Sequence, residues 1–190
     1  SVKEVTGQEV VPDSGCGSWL LEPQSTNLIT YSEDFSNAAW FKNSGGTGTA
    51  PVVTTNNTIS PDGTQNADKV VFDKGSGTST SDLSILQVNF TSQANTSSIY
   101  VKADTPQRIV VRNSNTFLGY DIGTEWTRIE KTDNGGSLQI GLRDGYGVTG
   151  VPNTATIYLW GAQVEAQSYA TSYIPTNGAT NTRLQDIANN

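Results

Sequence analysis

The sequence predicts an all-β protein, an antiparallel β-sandwich, and three observations carry that expectation. Short stretches rich in β-branched and aromatic residues recur along the chain, divided by clusters of Gly, Asn, Asp, Ser and Pro. No segment of helical length holds a sustained apolar period of ~3.6 residues. The composition suits strands and turns: Thr fits a pleated surface, while Asn and the 19 Gly supply left-handed turn positions. At 190 residues the chain is long enough to bury its own core as one domain.

Taken in order, residues 1–18 alternate weakly at Val2, Val5, Val10 and Val11 before Pro12, Asp13 and Gly15, which reads as an N-terminal arm or linker. Asn27 to Tyr31 reads as a first strand. From Ser32 to Trp40 a Ser N-cap is followed by acidic residues, the pattern of one helical turn. Val52 and Val53 mark a short strand. At Ser60-Pro61-Asp62-Gly63 a turn is expected, with Pro presetting one central dihedral and Gly supplying a positive one. Clearer strands follow at 67–72, 83–90, 97–103, 108–112, 117–121, 127–131, 138–142 and 156–160. So many short strands without intervening helices indicate a sandwich spanning 19–176, with 177–190 as a C-terminal tail or linker.

Absent residues narrow the function. With no His there is no Ser-His-Asp or Cys-His machinery and no His-ligated metal. One cysteine, Cys16, makes no internal disulfide. A formal charge of -7 opposes nucleic acid and anionic membrane surfaces as partners, because both need Lys and Arg in excess. No apolar run approaches the ~18 residues of a membrane span. Ser1, without a Met or a basic-then-apolar leader, reads as the start of a processed chain or fragment.

Strand alternation assigns faces. Leu138, Ile140 and Leu142 point to the core and Gln139 and Arg143 away from it; Ile99 and Val101 oppose Tyr100 and Lys102; Ile157 and Leu159 oppose Tyr158 and Trp160. Arg108 and Arg112 share a parity. A second surface thus collects Tyr100, Lys102, Arg108, Arg112, Gln139, Arg143, Tyr158 and Trp160. One reading is a solvated sheet face on which Arg stems lie over Tyr rings. The other is a sugar platform, with rings that stack on a pyranose and guanidinium and amide groups that hydrogen-bond hydroxyls or carboxylates. Basic residues clustered on an acidic molecule would favour an acidic polysaccharide.

The segment Leu20-Leu21-Glu22-Pro23-Gln24-Ser25-Thr26-Asn27-Leu28-Ile29-Thr30-Tyr31-Ser32-Glu33-Asp34-Phe35-Ser36-Asn37-Ala38-Ala39-Trp40 resembles the opening of a carbohydrate-binding-module-like domain of phage tail fibres and head-spike fibres. Pro61-Asp62-Gly63-Thr64, Ala67-Asp68-Lys69, Tyr100-Val101-Lys102-Ala103, Tyr158-Leu159-Trp160-Gly161-Ala162-Gln163-Val164-Glu165 and Ala170-Thr171-Ser172-Tyr173-Ile174-Pro175-Thr176 match the same pattern. The resemblance implies a non-catalytic jelly-roll that binds a cell-surface glycan, borne on a virion or an extracellular protein. It is also similar to modules of secreted polysaccharide-degrading enzymes, whose sandwiches often hold a structural calcium ion (Ca2+). Asp34, Asp62, Asp68 and Glu165 lie in or beside these motifs and are the candidate metal ligands, since a hard cation wants several oxygens. The alternative to glycan binding is a structural fibre module, a homotrimer in which the same face packs on a neighbouring chain. The third reading is an enzyme: a glycosidase would need a carboxylate pair across a cleft, a separation that sequence does not display, and a polysaccharide lyase could use Tyr, Lys or Arg without histidine.

Overall fold

The computed structural model describes residues 3–5, 8–13, 17–113 and 116–187; Cys16 lies outside them. Among the described residues there is no helix, and the antiparallel sandwich of jelly-roll type expected from the sequence is present. Three strands, β1 (Lys3–Val5), β2 (Gln8–Asp13) and β3 (Gly17–Leu21), form a meander whose ladder pairings stay within it. The expected arm therefore carries strands. The rest of the chain builds β4 (Ser25–Asn27), β5 (Phe41–Gly45), β6 (Thr49–Thr58), β7 (Ala67–Asp73), β8 (Leu83–Lys102), β9 (Gln107–Asn113), β10 (Thr116–Ile122), β11 (Thr127–Arg143), β12 (Thr154–Glu165) and β13 (Asn181–Arg183).

Two long strands make the sandwich. β8 and β11, of 20 and 17 residues, pair along almost their whole length and far exceed an ordinary strand. Where the register shifts between Gly135 and Ser137 they leave one sheet and enter the other. Gly136 is needed there: a Cβ would come within 2.8 Å of the Phe90 carbonyl oxygen. The first sheet is β6-β7-β12 followed by the C-terminal half of β8 and the N-terminal half of β11. The second is β5, the N-terminal half of β8, the C-terminal half of β11, then β9 and β10.

The core lies between them. Phe72, Val101 and Ile157 from the first sheet join Leu86, Val111 and Ile140 from the second in one buried cluster, with Phe35 and Trp40 closing it. Each such side chain contributes roughly 1.5–3 kcal/mol by leaving water. Phe35 and Trp40 come from the segment expected to form a helical turn. The structure shows consecutive tight turns instead, because Asp34 caps the chain locally: its Oδ1 accepts from the Ser36 amide and hydroxyl and from the Asn37 amide.

The sandwich is closed by the motif near its start. Asn27 is fully buried; its Nδ2 donates to the carbonyls of Ala162 and Ile174, and its Oδ1 accepts from the amides of Ile29 and Val164. Only Ser25–Asn27 of this region is strand, and Tyr31 makes an isolated bridge to Asn177, which replaces the expected strand at 27–31. The stretch expected as a C-terminal linker also folds back, since β13 pairs with β4. Gly161, at φ 64°, lets β12 bulge between its pairings at Trp160 and Gln163.

Candidate functional site

Alternation placed the predicted site residues on outward faces, but the register divides them between two sheets. Tyr100, Lys102, Tyr158 and Trp160 belong to the first, where Tyr158 faces Lys102 and Trp160 faces Tyr100. Arg108, Arg112, Gln139 and Arg143 belong to the second, where Gln139 faces Arg112. The single surface expected from the sequence is thus two surfaces with a core between them.

The first sheet's outer face is occupied by its own side chains. Trp160 and Tyr158 are only 5% and 7% exposed. Tyr173 tilts onto Trp160 at 4.6 Å between ring centroids, and Tyr100 lies against it at 5.4 Å. The Lys102 ammonium sits 5.2 Å from the Trp126 ring and 5.3 Å from the Tyr158 ring, while the Tyr158 hydroxyl donates to Asp104 at 2.8 Å. The Trp126 indole N–H donates to the carbonyl of Ile59, so the β6–β7 loop reaches from one edge of this sheet to the other. Tyr158 and Trp160 are therefore packing residues, and their expected place on an open platform is corrected.

On the second sheet Phe41, Gln87, Gln139, Arg112 and Phe117 stand in one row, each directly opposite the next. With ~4.8 Å between strands, this row runs about 19 Å. Its amides form a chain: Gln139 Nε2 and Asn43 Nδ2 both donate to Gln87 Oε1, and Gln87 Nε2 donates to Asn89. Phe41 stands 48% exposed at one end. At the other end Phe117 stacks on Tyr146 at 4.1 Å and 8°. The adjacent row is Asn43, Ile85, Gly141, Val110 and Gly119, in which Ile85 and Val110 are buried and the Arg108 guanidinium and Val148 lie against Gly119.

The three arginines of this face differ in how they are used. Arg108 is neutralised by Asp121 at 2.6 Å and also donates to the Thr149 carbonyl. Arg143 donates to the Thr80 carbonyl and to the Tyr146 hydroxyl, and its guanidinium lies 4.9 Å from the Tyr146 ring and 5.6 Å from the Phe117 ring. Arg112 lies 5.2 Å from the same Phe117 ring, and among the described residues none of its N–H groups, the buried Nε included, has a hydrogen-bond partner.

A cavity of about 470 Å³ opens elsewhere, lined by Tyr31, Glu33, Asp34, Asn56, Asn66 and Asp68 among others. Burial, foremost, lifts the Asp68 carboxyl to about 6; amide bonds from Asn56 and Phe35 oppose the rise and the charges of Asp34 and Glu33 add to it. The four candidate metal ligands do not converge. Glu165 is buried with its oxygens taken by Ser25 and by the amide and hydroxyl of Thr171. Both Asp68 oxygens accept amides, Asp34 Oδ1 caps its own turn, and Asp62 Oδ1 is bound by Ser60 and Thr64. Asp34 and Asp68 line the same cavity, and among the described residues no three Asp, Glu, Cys or His side chains are grouped to hold a metal ion.

Phe41, Asn43, Gln87, Asn89, Phe117 and Tyr146 escaped the sequence reading. Gln87 and Asn89 alternate with Leu86 and Val88, a signal that would have found them. No protein-family model and no curated protein matches the chain. Among solved structures it is similar to the family 11 carbohydrate-binding module of the cellulosomal cellulase Lic26A-Cel5E of Clostridium thermocellum, at 9% identity over 75% of this chain and 95% of that one, TM-score 0.47. It is also similar to the CBM22-2 xylan-binding domain of Paenibacillus barcinonensis Xyn10C, at 14% identity over 75% and 98%, TM-score 0.41. A third similarity is to the enzymatically active domain of bacteriophage CBA120 tailspike protein 4, at 10% identity over 73% of this chain and 21% of that one, TM-score 0.43.

Proposed function

We propose that this chain is a non-catalytic carbohydrate-binding module that holds a polysaccharide across the strands of its second sheet, as part of an extracellular or virion-borne surface protein. The observation that carries this reading is the row Phe41-Gln87-Gln139-Arg112-Phe117, long enough for an oligosaccharide and made of the groups that recognise one. Rings stand at both ends, and between them Gln87, held by the nearly buried Gln139 and by Asn43, is the amide placed to meet sugar hydroxyls. Among the described strand residues of this face, parity gives one carboxylate, Asp121, and Arg108 holds it, which speaks against an acid and base pair along the row.

A glycan array followed by calorimetric titration tests the reading. Saturable binding to an oligosaccharide, weakened at least tenfold by Phe41→Ala and by Gln139→Ala with folding unchanged, is the expected result. No binding to any glycan, together with a stable trimer by light scattering, would replace it with a fibre-building role for the same face.

A further inference from the structure

We infer that the Phe117 end of this row is an anion subsite, in which Arg112, assisted by Arg143, holds an acidic group of the glycan, a carboxylate or a sulfate. The inference rests on the platform reading above and adds a direction to it. Neutral sugars lie along the amides toward Phe41, and the charged one lies at the opposite end.

Charge accounting around one ring carries the argument. Two guanidinium groups, those of Arg112 and Arg143, lie 5.2 and 5.6 Å from the Phe117 centroid. Neither has a carboxylate within ion-pair distance among the described residues, whose ion pairs are Lys74–Asp144, Arg108–Asp121, Lys131–Asp133 and Arg183–Glu22. The molecule is acidic, with 18 Asp+Glu against 11 Lys+Arg, so carboxylates to pair them were available to the sequence. The neighbouring Arg108 received one; these two did not. Like charges gathered on one ring repel, and a bound anion removes that repulsion.

Arg112 supplies the second, independent observation. A guanidinium carries five N–H donors in a planar fork, and its natural acceptor is a bidentate oxyanion. Here the fork is half-buried beside Gln139 and Phe117 and makes no hydrogen bond among the described residues. Of these donors Nε is buried, and leaving it unmatched is costly; the terminal nitrogens stay open to solvent, where an acceptor can reach them. Arg143 differs because its Nε is already fixed by the Thr80 carbonyl, which holds its head beside Tyr146 and Phe117. One arginine is therefore free to bind and the other is held in place to strengthen the field.

The experiment uses polygalacturonate, dextran sulfate and unmodified dextran with the full chain and with Arg112→Gln, Arg112→Lys and Phe41→Ala, each checked for an unchanged melting temperature. Expected is binding to at least one acidic polymer that falls tenfold or more in Arg112→Gln and weakens with added salt. Arg112→Lys recovers part of that loss, since it keeps the charge without the fork. Preference between polygalacturonate and dextran sulfate distinguishes a carboxylate from a sulfate. Binding to dextran that is lost in Phe41→Ala, with Arg112→Gln neutral on every polymer, would overturn the anion subsite and leave the platform standing. Failure of all three polymers, with binding on the array only to neutral glycans, would also overturn it, whereas silence on the array removes both.

Discussion

Replacing Asn27 by Ala is the most exacting test of how the sandwich is closed. The side chain makes hydrogen bonds to the carbonyls of Ala162 and Ile174 and from the amides of Ile29 and Val164, inside a site with no exposure. At roughly 1 kcal/mol for each lost bond, the change costs about 4 kcal/mol, and the stranded amides and carbonyls keep it from being less. For a domain of this size about 4 kcal/mol corresponds to a fall of roughly 10 °C in melting temperature. Urea denaturation followed by tryptophan fluorescence measures it. Thr26→Ala, which removes only an exposed contact to Thr182, is the control and is expected within about 0.5 kcal/mol of the parent. A loss below 1 kcal/mol in Asn27→Ala would show that the neighbouring ladders, and not this amide, hold the closing segment.

Other expectations follow from the same geometry. Asp133 is held at about 2 because, although burial works against its charge, hydrogen bonds from Lys131, Thr116 and the Asn134 amide outweigh it. Its folded value lies below the unfolded one, so its stabilisation is present above pH ~4 and lost between about 4 and 2; denaturation of Asp133→Asn across that window is expected to show a shallower loss than the parent. Asp68 behaves oppositely. Raised to about 6, it favours the folded state more as pH falls from about 6 to 4, and its carboxyl carbon is expected to titrate near 6 by NMR, an ordinary value near 4 refuting the burial argument. Gly161→Ala forces a left-handed φ of 64° on a residue whose Cβ would lie 3.3 Å from Tyr100 and 3.4 Å from Tyr173, and is expected to cost about 1–2 kcal/mol in urea denaturation.

Much of the fold was legible because a strand's parity is a local property. Leu138, Ile140 and Leu142 declare an inner face without reference to any other strand, and Ile99 and Val101 do the same. What parity does not carry is the sheet to which an outward face belongs. Arg143 and Tyr100 look equivalent in sequence, yet β11 and β8 have bent from one layer to the other between them. The bend itself hides in polar residues: 83–90 and 97–103 read as two strands because Thr91 to Asn95 resembles a turn, whereas β8 runs through it as one strand whose register shifts between Asn89 and Gln93. β5 was missed because Phe41-Lys42-Asn43-Ser44-Gly45 is an edge strand with one apolar residue, and its pattern is too weak to stand alone. Trp160 was misplaced because its cover, Tyr173, comes from a loop that alternation does not describe.

The clasp that ends the sandwich has a mechanical meaning. The Glu22 amide donates to Asp186 Oδ2, the Asp186 amide donates to the Glu22 carbonyl, and Arg183 pairs with Glu22 at 2.5 Å, so the chain enters and leaves at one corner. Tension applied between those two points runs through this corner and the three-residue ladder of β4 and β13, which opens one rung at a time like a zip. The sandwich hangs to the side of that line of force. A tug on the chain therefore strains the clasp first, and the row from Phe41 to Phe117 keeps its shape while the molecule is pulled.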